Sequence, residues 1–299
     1  MSTAEIYKLQ YADMIKDRAQ QRVSRAQAAV MTVPATGKLH TYDDMSAFDD
    51  IEITTRLSDT QGFTPIHSRR GCPLREFRAT PMFDTFDQLA IIANPGNKYV
   101  EGAVRTLQIR KDRLILEAAR GTVLTGEFCT TSVTAANDGV STIVHGWENL
   151  TFEKLQELEQ SFADDEVGVD EGEEMYIAIT ANQRRALRQQ LEYKSSDYKD
   201  LAVFKDSQLV KAGAFNLIVY SSTATKPLLT KSGNIRSCIA WAKSGIEFAL
   251  SQDIQVEVNQ RPDKNNAWQA QSVIFANALR TEGKKVKIVQ CDETHMPTS

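Results

Sequence analysis

The side chains with the most chemical potential in this chain fall into a few groups, and each lacks a partner its chemistry would need. The acidic run from Asp164 to Glu174 sets Asp164, Glu166 and Asp170 at spacings that suggest a calcium loop. Such a loop needs oxygen ligands at alternate positions, a glycine at its sharp turn and a bidentate glutamate at its end. Here Gly168 stands where a third ligand belongs, Val169 takes the place of the glycine, and Met175 replaces the glutamate. The segment therefore reads as a solvated acidic loop. Gly121-Thr122-Val123-Leu124-Thr125-Gly126 has the glycine spacing of a phosphate loop, but Glu127 follows where a lysine must reach the phosphates. His40, His67, His145 and His295 are isolated, with no pair one helical turn apart to grip zinc. No serine occupies a G-x-S-x-G elbow. Cys72, Cys129, Cys238 and Cys291 are far apart and form no C-x-x-C pair, so they read as reduced structural thiols. The expectation is a protein with no catalytic residue, no metal site and no cofactor.

The remaining group is basic: Arg69, Arg70, Arg75 and Arg78. A nucleic-acid surface would interleave aromatics with a wider basic field, and only Phe77 is at hand. The chain as a whole carries a net charge of −4, whereas affinity for DNA rests on neutralising phosphates. Arginine is favoured at protein interfaces because its planar fork binds carboxylates bidentately. Asp164, Asp165 and Glu166 offer a complement on a neighbouring copy. These seven residues form the expected inter-subunit contact.

The elements that would position these groups follow from periodicity. With 299 residues, 41% of them hydrophobic, the chain can bury a substantial core in one large domain or two ordinary ones. Met1-Ser2-Thr3-Ala4-Glu5 is polar, and no apolar run approaches the roughly 20 residues of a membrane span. The expectation is a chain with neither a signal peptide nor membrane contact. Residues 4–30 have helical spacing but a thin apolar face, and residues 31–50 read as a linker or irregular arm around Pro34 and Gly37. Ile51 to Leu57 alternates apolar and polar residues like a strand, with a return strand over Leu74 to Thr80. Together they predict a long two-stranded loop with too few large apolar residues to fold by itself.

Beyond the breaker Asn94-Pro95-Gly96-Asn97, helical spacing predicts a strut of roughly 33 Å over residues 99–120, ended by Gly121. Val104, Leu107, Leu114, Ile115 and Ala118 share one face, and Lys111 interrupts the stripe. Residues 122–146 suit strands and loops, and Thr151 caps a second helix to about Phe162. Met175 to Ile179 reads as a buried strand, and Asn182 opens a helix to Leu191. Phe215 to Tyr220 is a strand, and the second half of 236–258 alternates as strands do. Lys285 to Val289 is a closing strand, whereas Trp268 to Leu279 fits either period. Helices and strands do not alternate regularly, which favours α+β over a doubly wound sheet.

The order of several short motifs carries a family likeness. It runs through Gln20-Gln21-Arg22-Val23-Ser24-Arg25, a strand, Gly62-Phe63-Thr64-Pro65, the arginine-bearing segment, Pro81-Met82-Phe83-Asp84-Thr85-Phe86 and the long helix closed by Gly121. Next come Tyr176-Ile177-Ala178-Ile179-Thr180-Ala181-Asn182-Gln183, Ser196-Asp197-Tyr198 and Gly213-Ala214-Phe215-Asn216-Leu217-Ile218-Val219-Tyr220-Ser221-Ser222. Ala278-Leu279-Arg280 and Val286-Lys287-Ile288-Val289-Gln290-Cys291 close the series. The chain resembles, over nearly its whole length, the major capsid proteins of tailed double-stranded-DNA phages with the Hong Kong 97-type fold.

That resemblance implies an N-terminal arm over 1–45 and an extended loop over 46–85. It also implies a peripheral domain over 86–172 with a spine helix at 98–120, an axial domain over 173–245, and returning strands over 246–299. It implies a shell protein of the virion, assembled in the host cytoplasm into hexamers and pentamers of an icosahedral head that encloses double-stranded DNA. Expected partners are further copies of itself, with scaffolding, portal and decoration proteins of the phage. Two alternatives stand beside this reading: an encapsulin-like cellular compartment shell, and a metal-dependent phosphate-handling enzyme built on the acidic 164–174 segment.

Overall fold

A computed structural model describes residues 20–46, 50, 52, 54–56, 59, 62, 64–83, 95–168, 170–190, 204–205, 208–223 and 226–294. The described residues form helices α1 (Pro95–Arg120), α2 (Phe152–Asp164) and α3 (Ala181–Gln189) and strands paired in four sheets. The chain forms two compact units, each drawn from three stretches. One holds Met1–Ser24, Arg75–Lys111 and Gln252–Ala276; the other holds Arg25–Leu74, Asp112–Ser251 and Asn277–Ser299.

The larger unit is organised by a seven-stranded mixed sheet. Its order is β12 (Lys211–Ala212), β13 (Phe215–Tyr220), β9 (Met175–Thr180), β15 (Ile235–Ala242), β18 (Val286–Asp292) and β8 (Ser141–Ile143), with β14 (Lys231–Ser232) paired to β15. Helix α2 lays Leu155, Leu158 and Phe162, one turn apart, onto Met175, Ile177, Phe215 and Val289. Each such buried side chain contributes roughly 1.5–3 kcal/mol of burial energy. Thr151 starts the helix as expected: its hydroxyl accepts the Lys154 amide at 3.3 Å. Thr180 and Gln183 close a reciprocal capping box on α3.

A second sheet in this unit runs β2 (Leu39–Met45), β3 (His67–Pro73), β6 (Val123–Thr125), β7 (Thr131–Val133). Its base closes on a small core of Ala35, Cys72, Val123, Ala249 and Leu279, with Tyr42 and Leu74 packed against it. β1 (Met31–Pro34) runs parallel to the start of β16 (Ile246–Arg261). β10 (Phe204–Lys205) and β11 (Gln208–Leu209) form a short hairpin.

In the smaller unit, β4 (Arg75–Ala79) and β5 (Met82–Phe83) pair antiparallel with β17 (Ala267–Arg280). The guanidinium of Arg110 lies 4.0 Å over the Phe77 ring, and Phe83 stacks on Tyr99 at 5.6 Å. Lys111, which breaks the apolar stripe of the long helix, is buried and donates to Asp253 at 2.7 Å.

Several sequence expectations are corrected. The two-stranded loop is a hairpin, but its arms are β2 and β3. The segment read as a linker supplies β1 and β2. Of Ile51 to Leu57, the described residues Glu52, Thr54, Thr55 and Arg56 carry no strand, and the others lie outside the described residues. The return strand exists as β4, yet it pairs with β17. Residues 268–279, which fit either period, are strand. The expected helix over 4–30 falls largely on undescribed residues, and residues 20–30 carry only a short 3-10 turn at Gln27–Ala29. Tertiary capture explains this: buried Asp112 accepts the Arg25 and Ala26 amides at 3.0 Å, and Trp241 Nε1 donates to the Ala29 carbonyl at 2.9 Å. The long helix starts at Pro95 rather than beyond the breaker, because proline suits a first helical position where no N–H is needed.

Candidate assembly surface

The β2–β3 hairpin carries the first two of the expected interface arginines. Bonds from the Leu74 amide to the Lys38 carbonyl (2.9 Å) and from the Ser46 amide to the Ile66 carbonyl (2.8 Å) bracket its ladder. With the register Leu39↔Pro73 to Met45↔His67, residues 40, 42 and 44 therefore exchange hydrogen bonds with 72, 70 and 68. Pro73 lies in the other phase, so its missing N–H costs this ladder nothing, and its carbonyl accepts Asn277 Nδ2 at 2.6 Å. Gly71 is required by close approach: a Cβ there would lie 2.6 Å from Cys129 Sγ.

Asp43 and Arg69 face each other in a non-hydrogen-bonded pair, where side chains come closest. Arg69 grips the carboxylate with two bonds, Nε to Oδ1 at 2.6 Å and Nη2 to Oδ2 at 2.9 Å. Those hydrogen bonds hold the Asp43 carboxyl below the usual range. The pair is exposed on the hairpin, next to Met45 and Ile66, which also stand in solvent.

Arg70 behaves differently. Its Nη1 donates to Asp138 Oδ2 at 2.7 Å, and the same oxygen accepts Nε of Arg280 at 2.8 Å. Arg280 is fully buried, and its Nη1 donates to the carbonyls of Ala118 (3.2 Å), Ala119 (3.0 Å) and Gly121 (3.1 Å) at the end of α1. Burial pulls the Arg280 pKa down, and Asp138 opposes that pull. This node ties β3, the helix terminus and the end of β17 together at the base of the hairpin. Arg69 and Arg70 also border an open cleft of about 650 Å³ beside Glu127. Both arginines at this cleft are already paired to carboxylates.

Arg75 and Arg78 stand exposed on β4, in the smaller unit, where Arg78 pairs with Glu76. Of the acidic group, Asp164 ends α2 and is exposed, and Glu166 is exposed in a left-handed turn (φ 58°). Asp165 is engaged inside the chain by Lys287, whose buried ammonium lies 5.0 Å over the Phe162 ring. Among the described residues no ion pair joins the arginine group to Asp164, Asp165 or Glu166, and no cluster of potential metal ligands forms.

Two features leave no local signal in the sequence. The first is the Asp138–Arg280 node, whose members are 142 positions apart. The second is the loop after β8. There the buried Lys154 ammonium donates to the carbonyls of His145 (2.6 Å), Glu148 (2.7 Å) and Asn149 (3.0 Å), and burial lowers its pKa. The pinned loop presents Trp147, 72% exposed at φ 61°, with His145 edge-on to it.

A family model described as phage capsid protein matches residues 3–293. The chain belongs to the phage capsid protein family. Solved structures agree in fold: the Cyanophage Pam1 capsid asymmetric unit (TM-score 0.70, 11% identity, 98% of each chain covered) and a chain of Mycobacterium phage Che8 (0.69, 12%, 98% and 99%). The capsid of Ralstonia phage GP4 is similar throughout, with a TM-score of 0.67 at 10% identity and 100% of both chains covered. No relative among functionally curated proteins is detected by sequence.

The architecture is the α+β, Hong Kong 97-type fold expected from the motifs. The capsid protein's role is structural: it is a shell subunit of the virion that associates with copies of itself, and it is not an enzyme. Family and fold do not favour the cellular-compartment and phosphate-handling readings.

Proposed function

We propose that this capsid protein assembles into hexamers and pentamers of an icosahedral head around double-stranded DNA, formed in the host cytoplasm with scaffolding, portal and decoration proteins. The observation that carries the reading is the β2–β3 hairpin, whose far half exposes Met45 and Ile66 and joins no core cluster among the described residues. A hairpin of this kind is marginal unless it packs on another surface. We assign residues 1–45 to an arm, 46–85 to the extended loop, 86–172 to the peripheral domain with its spine helix, 173–245 to the axial domain and 246–299 to returning strands. The hairpin supports moving the start of the extended loop back to Leu39. Of the interface residues, Arg69, Arg75, Arg78, Asp164 and Glu166 are exposed for contact with a neighbour, whereas Arg70 and Asp165 act inside the chain.

Heterologous contacts that close into rings are the expected assembly logic. The test is assembly of purified subunits, alone or with a scaffolding protein, followed by sedimentation. Charge reversal at Arg75 and Arg78 is expected to impair particle formation while circular dichroism stays unchanged. Normal particle yield from that variant would remove these arginines from the interface.

A further inference from the structure

We infer that Trp147 is a knob that seats in a hollow at the far end of helix α2 on a second copy of this chain. The inference rests on the shell reading and deepens it by naming a contact outside the hairpin. A built loop holds Trp147 out. Gly146 (φ 53°) and Trp147 (φ 61°) are successive left-handed residues, and the Trp147 amide donates to His145 Nδ1 at 3.0 Å. The ammonium of Lys154, in the first turn of α2, gathers three carbonyls of the same loop. The Asp292 amide donates to a fourth bond there, on the Glu148 carbonyl at 2.8 Å. A bulky residue in the left-handed region costs free energy and persists where its surroundings over-determine it, as they do at ligand clamps. The result here is an indole fixed in solvent, with Val144 exposed beside it in the chain. Tryptophan is among the side chains that most often dominate the binding energy of protein interfaces.

The hollow lies at the other end of α2, about 17 Å along the helix from its start. Its volume is about 310 Å³, the scale of a small binding pocket. Phe162, Met175 and Phe215 form its floor, Ala163 is in its wall, and Glu159 and Lys211 are the charged residues beside it. That lining suits an indole. The apolar floor and the small alanine take the flat ring, the Glu159 carboxylate can accept the Nε1 N–H, and the Lys211 ammonium can lie over the ring face. A second copy is the fitting occupant on two grounds. The family self-associates, and a single chain carries both knob and hollow, a helix length apart in the larger unit. Trp147 of each copy can therefore enter the next copy without reciprocity, which is the heterologous contact that closes rings.

Hydroxyl-radical footprinting read by mass spectrometry, on free subunits and on assembled particles, tests this with the unaltered chain. Trp147 should be oxidised readily in the subunit and roughly tenfold less in the particle, since interface anchors are fully desolvated. Equal oxidation in both states overturns the inference and leaves the shell reading standing. A wild-type chain that forms no particles overturns both. In a second arm, Trp147→Ala removes the knob, and Ala163→Trp, at an exposed position, fills the hollow. Each should lower particle yield by about tenfold or more with the subunit melt unchanged, while Trp147→Phe keeps most of the yield. The double variant should assemble no worse than either single one, because both changes remove the same contact. Losses that multiply in the double variant, or normal assembly of either folded single variant, overturn the pairing of knob and hollow. Footprinting of the unaltered chain decides the matter if a variant fails to fold.

Discussion

Replacing Asp138 with asparagine is the sharpest single perturbation of the hairpin's anchor. The carboxylate is 6% exposed and serves two guanidiniums, of Arg70 and of the fully buried Arg280. Asparagine keeps the shape but removes the negative charge, leaving two adjacent cations with nothing between them. Breaking a buried, hydrogen-bonded ion pair by removing one partner costs about 3–5 kcal/mol. The global stability of a domain is about 5–15 kcal/mol, so the loss is a large fraction of the total. At roughly 2–4 °C per kcal/mol for a domain of this size class, Asp138→Asn should lower the melting midpoint of the unassembled subunit by about 6–20 °C. The control is Asp43→Asn, which breaks an exposed pair on the same hairpin and should leave the midpoint unchanged. Differential scanning calorimetry of both variants gives the answer. Equal midpoints for the two would refute the claim that the Asp138 node, and not surface charge, fixes the hairpin base.

Two further outcomes follow from local geometry. Burial raises the Glu293 pKa, but hydrogen bonds from Arg236, Lys231 and Gln183 outweigh it and hold the carboxyl at about 2, against a usual value of 4.5. A depressed folded pKa means the stabilising contribution is present above pH 4.5 and is lost as pH falls towards 2. Urea titrations across that window should show an acid-dependent loss of stability that is smaller in Glu293→Gln. Gly283→Ala should destabilise the subunit by about 1–3 kcal/mol or more. A Cβ there would sit 1.8 Å from the Asp138 carbonyl oxygen, so a melt equal to wild type would contradict that close approach.

Much of the fold is legible in the sequence because it is encoded locally. The long helix, the capped helix behind Thr151 and the strands at 175–180, 215–220 and 286–292 all announce themselves by period and caps. The hairpin is misplaced by the same logic. Ile51 to Leu57 has the alternation of a strand, whereas the true arms contain Asp43-Asp44 and Arg69-Arg70, residue types that argue against strand. Asp43 and Arg69 are tolerated because they meet across the ladder, Arg70 because it reaches Asp138, and Asp44 because its carboxylate accepts the Met45 amide, pairings no local window reveals. The arginine group is legible as a group, but its division is not. Arg69 stays in solvent while its neighbour Arg70 turns to a carboxylate supplied 68 positions away. Lys111 and Lys154 follow the same rule: each interrupts an apolar pattern, and each is buried against acceptors fixed by tertiary structure.

A shell subunit of this fold is expected to be incomplete as a monomer. Electron microscopy of the purified protein, expressed alone or with a scaffolding protein, tests it most directly. Capsomers or closed shells are the predicted result; a stable, inert monomer at high concentration in both preparations would contradict it.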